Sequence, residues 1–152
     1  MLSQAKHAQK QWGGTHSAVD TWLAERQQVL VEFYHIAGLT SQKNNAQTSM
    51  PSMAQLTSFC QILMDYVSAG HFEIFDILSA GDVQAESLKQ QLYPKLLATT
   101  DTCLTFNDRF SSLQDEELAK GINLSIEGLG KTLAERFELE DKMLEHLFST
   151  PS

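Results

Sequence analysis

The chain has 152 residues, a hydrophobic fraction of 42%, and a formal net charge of −8 from 19 acidic and 11 basic side chains. This length predicts one domain spanning residues 1–152, large enough to bury a substantial core. The charge disfavours nucleic acids and anionic membranes as direct partners, because phosphate binding requires clustered lysine and arginine. The negative charge is compatible with a basic protein partner. The alternative is that the acidic residues only keep the protein soluble.

The first half of the chain begins with a polar segment. This segment does not have the pattern of a signal peptide, and the chain contains no apolar run long enough to span a membrane. We therefore expect a cytoplasmic protein. Residues 1–11 can form a short, weakly amphipathic helix that ends at Gly13. A first long helix, which Ser17 or Thr15 can cap, is predicted to run to about Ala37, with Gly38 at the left-handed position that ends many helices. Residues 40–52 are polar and predict a loop.

Three further helices are predicted from the apolar spacing. One runs from Met53 to Leu78, and the small residues 68–70 permit close packing or a kink at its middle. The next spans about residues 84–112 and contains Pro94, which removes one backbone donor and predicts a kink near residues 90–94. The last covers about residues 114–148, and no alternating pattern indicates a strand. The predicted fold class is all-α, an antiparallel up-down-up-down four-helix bundle with a short extra N-terminal helix.

Charged residues fall on the apolar stripes of the first and last helices. Arg26 follows the spacing of the buried positions, and Arg136 and Glu140 do the same at i, i+4. Buried charge must be paired, because an unpaired one is strongly destabilising. We therefore expect an internal polar network of Arg26, Arg136, Glu140 and His71, with His71 a core histidine bonded to Glu140 or Asp65.

Acidic residues near the stripes leave two interpretations open. Asp65 is either an internal partner for Arg26 or Arg136, or a surface acid that binds an arginine of a partner protein. Glu138 and Asp141 are expected to face water.

Patterns typical of catalytic or metal sites are weak in this chain. Glu32 and His35 have the Glu-x-x-His spacing of di-iron bundles, but the pattern occurs once where those bundles use two. Cys60 and Cys103 lie in apolar helical contexts and are expected to be buried free thiols. No phosphate-binding loop or paired Cys-x-x-Cys pattern is present. These patterns favour a binding protein without a cofactor over an enzyme.

Several short strings occur along the chain in a fixed order. The most specific is Asp-Tyr-x-Ser-Ala-Gly-His-Phe at residues 65–72. The others are Asp20-Thr-Trp-Leu with Arg26, Leu30-Val-Glu-Phe-Tyr34, Phe59-Cys-Gln, Arg136-Phe137 and Leu139-Glu-Asp-Lys142. Together they resemble the Rsd/AlgQ family of bacterial regulators that bind the primary sigma factor of RNA polymerase. Phe33, His35 and Phe75 depart from the residues common in that family.

The resemblance implies a helical bundle that acts as an anti-sigma factor. Such a protein binds the primary sigma factor one-to-one, mainly through the basic C-terminal domain that reads the promoter −35 element, and so favours alternative sigma factors. The family pattern implies that Asp65 contacts a sigma-factor arginine, and acidity and expected proximity add Asp20, Glu32 and Glu73. Some members also bind the phosphocarrier protein HPr, and one binds a stringent-response enzyme. Binding of HPr or of a stringent-response enzyme is one alternative to the anti-sigma function. A helical bundle that binds a small ligand or a metal ion is another.

Overall fold

The computed structural model describes residues 17–38, 52–80, 82–111 and 121–149. Its helices are α1 (Ser17–Ile36), α2 (Met53–Ala69), a π-helical turn (Gly70–Ile74), α3 (Phe75–Ser79), α4 (Val83–Phe110) and α5 (Ile122–Ser149). The π turn and α3 directly continue α2, so the described residues form four helical segments and contain no strand. The predicted all-α class is confirmed.

Local sequence explains where these helices begin and end. Gly38 follows α1 with φ of 73°, the left-handed conformation that glycine adopts without strain. At the start of α2, the Ser52 hydroxyl accepts from the Gln55 backbone amide at 3.1 Å, and the Gln55 side chain accepts from the Ser52 amide at 2.8 Å. Asp82 caps α4 in a similar way, and α4 then runs without interruption through Pro94.

The buried apolar side chains form one hydrophobic cluster with members from all four helical segments. In this cluster α4 packs against α5, α1 against α2, and α2 against α4. Cys60 and Cys103 lie inside it as free thiols, and burial raises the pKa of each to about 11. None of the helices in the described part of the chain is long and apolar enough to cross a membrane.

Several parts of the predicted architecture lie beyond what the structure establishes. The extra N-terminal helix at residues 1–11, nearly all of the 40–52 loop and the predicted start of the last helix at residues 114–120 fall outside the described residues. The antiparallel up-down-up-down order of the helices stays a prediction.

Replacing Ser52 by alanine should lower the free energy of unfolding by about 1 kcal/mol, because the cap of α2 loses its acceptor. Urea denaturation followed by the helical circular-dichroism signal measures this change. Ser52→Asp is the control, since it restores an acceptor and should stay within roughly 0.5 kcal/mol of the wild type. A wild-type midpoint for Ser52→Ala would show that the cap contributes nothing.

Candidate functional site

A buried polar network joins all four helical segments at the centre of the core. Arg26 of α1, Tyr66 of α2, and Arg136 and Glu140 of α5 are fully buried. The Tyr66 hydroxyl lies 2.6 Å from both carboxylate oxygens of Glu140. Arg136 Nε donates to Glu140 Oε2 at 3.0 Å, and Arg26 Nη1 donates to Glu140 Oε1 at 3.4 Å. Glu140 is therefore the acceptor that the other three side chains share.

The outer ends of the two guanidinium groups reach further partners. Arg26 Nη2 donates to Asp141 Oδ1 at 2.8 Å, and the Asp141 side chain is only 18% exposed. The prediction that Asp141 faces water is wrong, because Arg26 needs a second countercharge. Arg136 Nη1 donates to the hydroxyls of Thr100 and Thr99 on α4, at 2.8 and 3.1 Å. Two arginines and two carboxylates thus balance each other within the network.

The protonation of this network follows from burial and from the charges inside it. Burial is the largest influence on the pKa of Arg26 and lowers it, but the interactions with Glu140, Tyr66 and Asp141 together outweigh burial, so the pKa lies above its ordinary value. Burial, followed by the charge of Glu140, raises the pKa of Tyr66 well above its ordinary value. The Tyr66 hydroxyl consequently keeps its proton and remains a donor to Glu140.

Gly70, the first residue of the π turn, lies against the network. A β-carbon at this position would be 3.2 Å from Phe75 Cζ, 3.3 Å from Arg136 Nη2 and 3.4 Å from Trp22 Nε1. Phe75 and Arg136 are too close for a β-carbon to fit without a shift, so glycine permits the close approach of the turn to these side chains and to Trp22. The contacts of Gly70 with these core side chains therefore determine the position of the π turn.

An acidic face made of Glu25, Asp65 and Glu73 lies on the outside of this core. Asp65 is exposed, and the next residue, Tyr66, is buried in the network. The pKa of Glu25 is raised, first by partial burial and then by the negative charges of Asp65 and Glu73. Asp65 of α2 and Glu73 of the π turn therefore both repel Glu25 of α1. Of the two interpretations of Asp65, the structure supports the surface acid.

Glu25 is a member of the acidic face that the sequence interpretation missed. Its only signal in the sequence is a carboxylate next to the buried Arg26, at the border of the apolar stripe of α1. Its closeness to Asp65 depends on how α1 packs against α2, which periodicity within a single helix does not specify.

Two other predicted acids also lie on α1. Glu32 is seven residues after Glu25, which is about two turns and places both on one side of the helix. Its carboxylate lies 3.6 Å from His35 Nδ1 and accepts from Gln28 at 3.3 Å. Asp20 is half-buried near the start of α1, about 140° around the helix from Glu25. The described residues contain no group of three or more His, Cys, Asp or Glu side chains that could hold a metal ion.

His71 does not join the internal network, in contrast to the prediction. It is half-exposed, and its Nδ1 lies 3.4 Å from the Tyr93 hydroxyl on α4. The physical reason is that Gly70 occupies the interior position of the π turn, against Arg136. The following residue therefore lies at the edge of the helix, facing α4. The partner of His71 is Tyr93, and the described hydrogen bonds of Glu140 go to the two arginines and Tyr66.

Comparison with known proteins gives a consistent result over nearly the whole chain. Residues 1–148 match the protein family described as "Regulator of RNA polymerase sigma(70) subunit, Rsd/AlgQ". A "Regulator of sigma D" from Pectobacterium carotovorum subsp. carotovorum (strain PC1) is 31% identical, over 97% of this chain and 99% of the relative. A protein of the same description from Yersinia enterocolitica is 31% identical over 95% of this chain and 89% of the relative. Another from Sodalis glossinidius (strain morsitans) is 33% identical over 95% and 97%.

Glu140→Gln should lower the free energy of unfolding by about 3–5 kcal/mol, because Arg26 and Arg136 stay buried without their shared countercharge. Denaturant unfolding measures the change. The control is Glu138→Gln, which removes an exposed carboxylate from the same helix and should leave the midpoint unchanged. Equal midpoints for both variants would contradict a structural role for the network.

Asp65→Asn should lower the pKa of Glu25, because it removes one of the two charges that raise it. A raised carboxyl pKa in the folded state stabilises the fold below the unfolded-state value of 4.5, and this contribution is lost as the pH rises through the folded-state pKa. The variant should therefore lose less stability than the wild type between acidic and neutral pH. Carboxyl NMR titration of Glu25 and urea midpoints at both pH values measure the two effects, with Glu138→Gln as the control. An unchanged Glu25 titration in Asp65→Asn would refute the coupling.

Proposed function

Because the chain belongs to the Rsd/AlgQ family of regulators of the RNA polymerase sigma(70) subunit, we propose that it is an anti-sigma factor. The family is one of regulators, not of enzymes. The protein binds the primary sigma factor one-to-one through the C-terminal, promoter-reading domain of that factor. It acts in the bacterial cytoplasm without a cofactor, and it lowers the amount of primary sigma factor that competes with alternative sigma factors.

The observation that carries this proposal is the exposed Asp65 within the acidic face. A carboxylate that binds an arginine guanidinium in two-pronged geometry makes a strong, directional contact. Glu25 and Glu73 add negative charge at the same place, and the repulsion of Glu25 by Asp65 and Glu73 is relieved when a cation binds. The contact residue of the proposal is Asp65, and Glu25 and Glu73 support it.

The partner suits this surface for a physical reason. A domain that reads promoter DNA carries basic side chains on the surface that contacts the phosphates. The acidic face covers that surface in place of DNA, and the net charge of −8 accelerates the encounter. The sigma-factor domain therefore binds either this protein or promoter DNA, but not both at once.

The fold provides the rigid support for this interaction. We take residues 1–152 as one domain, an antiparallel up-down-up-down bundle in which α1, α2 and the π turn present the acidic face. The network of Arg26, Arg136, Glu140 and Tyr66 supports this role, because it holds α2 with Tyr66 inward and Asp65 outward.

Calorimetric titration against the isolated C-terminal domain of the primary sigma factor, at low and moderate salt, tests the proposal. We expect one-to-one binding, micromolar or tighter, that weakens as salt increases. Asp65→Asn should weaken binding by about 2–4 kcal/mol, because it leaves the arginine of the partner unpaired.

Glu138→Gln is the matched control for this titration. It removes one negative charge from the exposed side of α5, so its affinity should differ little from that of the wild type. Absence of wild-type binding at both salt concentrations would overturn the proposed function. Equal losses of affinity for Asp65→Asn and Glu138→Gln would show that only net charge matters. Asp65 would then not be a contact residue.

A further inference from the structure

Three aromatic rings form a continuous surface beside the acidic face. Phe72 is 76% exposed, and its ring packs edge-on against His71 with centroids 4.7 Å apart. The His71 ring stacks on Tyr93 of α4, at 6.1 Å between centroids and 24° between planes. We call Phe72, His71 and Tyr93 the aromatic ledge. Its rings link the π turn to α4, so the exposed Phe72 belongs to a larger surface.

The aromatic ledge is continuous with the acidic face. Phe72 directly precedes Glu73, one of the three carboxylates, in the π turn. In a regular α-helix Glu73 would be rotated by about 80° from Asp65, eight residues earlier. A π turn contains more residues per turn and rotates the following residues backward, which brings Glu73 toward the side of Asp65. The π turn thus places an exposed aromatic ring directly beside clustered negative charge.

The charges around the ledge favour a basic occupant. A cation lies against the ledge at Lys89, whose Nζ is 5.9 Å from the centre of the Tyr93 ring. That ammonium group is paired with Asp76 at 2.7 Å, so it adds no net positive charge. Glu73 next to Phe72 leaves the surface negative, which complements a basic partner.

We propose that the aromatic ledge is the apolar half of the surface that binds the sigma-factor domain. This inference rests on the proposed function and deepens it. An apolar side chain of the basic domain packs on Phe72, while an arginine of the same domain binds Asp65. Interfaces commonly combine an aromatic anchor that excludes water with charged contacts near its edge. The ledge supplies affinity by burial, and the acidic face supplies salt-dependent attraction.

A matched pair of variants tests the two halves separately. Phe72→Ala removes the exposed ring of the ledge, and Leu124→Ala removes a side chain of α5 that is also 76% exposed. We expect Phe72→Ala to weaken binding to the isolated C-terminal sigma-factor domain by about tenfold or more, and Leu124→Ala to leave the affinity unchanged. Neither substitution removes a core contact, so both proteins should fold as the wild type does.

The salt dependence of the dissociation constant distinguishes the mechanisms. Phe72→Ala should keep the wild-type salt slope, since it removes no charge, whereas Asp65→Asn should reduce that slope. Phe72→Leu should recover much of the lost affinity by restoring apolar area.

The remaining outcomes separate the inference from the proposed function. If the wild type binds and Phe72→Ala binds equally well, the ledge is not part of the interface and the anti-sigma proposal stands. Equal weakening of binding by Phe72→Ala and Leu124→Ala would also overturn the proposal that the aromatic ledge is the apolar half of the binding surface. A reduced salt slope for Phe72→Ala would do the same. Absence of wild-type binding would overturn the proposed function and this inference with it.

Discussion

The requirement to satisfy a buried guanidinium group organises this structure. Arg136 is fully buried, and its charge cannot be left without partners in an apolar core. It meets this requirement through Glu140 on its own helix, Tyr66 on α2 and two threonine hydroxyls on α4. Glu140 in turn attracts Arg26 from α1. One set of hydrogen bonds therefore fixes the rotation of four helical segments relative to one another.

This internal arrangement determines what the surface presents. Tyr66 is anchored to Glu140, so the preceding residue, Asp65, faces outward. Gly70 lets the π turn lie close to Arg136 and Trp22, and the turn brings Glu73 toward the side of Asp65, with the exposed Phe72 directly before it. The polar core thus determines the positions of the acidic face and the aromatic ledge on the surface. Their geometry depends on residues that never contact a partner.

Much of the fold followed from the sequence, because helical periodicity and caps are local properties. The 3.6-residue spacing indicated that Arg26, Arg136 and Glu140 face the interior, and Gly38 indicated the end of α1. Spacing reports the side on which a residue lies, but not which atoms meet across helices. The roles of Tyr66 and the α4 threonines, and the proximity of Glu25 to Asp65, depend on interhelical packing and were not predicted. The π turn had no sequence signal beyond the small residues before it, and for this reason His71 was assigned to the wrong environment.

The two buried cysteines have a consequence for the chemistry of the protein under oxidative stress. Thiols react with peroxides and disulfides as thiolates, and a pKa of about 11 keeps Cys60 and Cys103 almost entirely protonated at neutral pH. Their location inside the hydrophobic cluster also keeps oxidants away. A rise in cellular peroxide consequently leaves both thiols reduced. Neither Cys60 nor Cys103 is suited to act as a redox sensor.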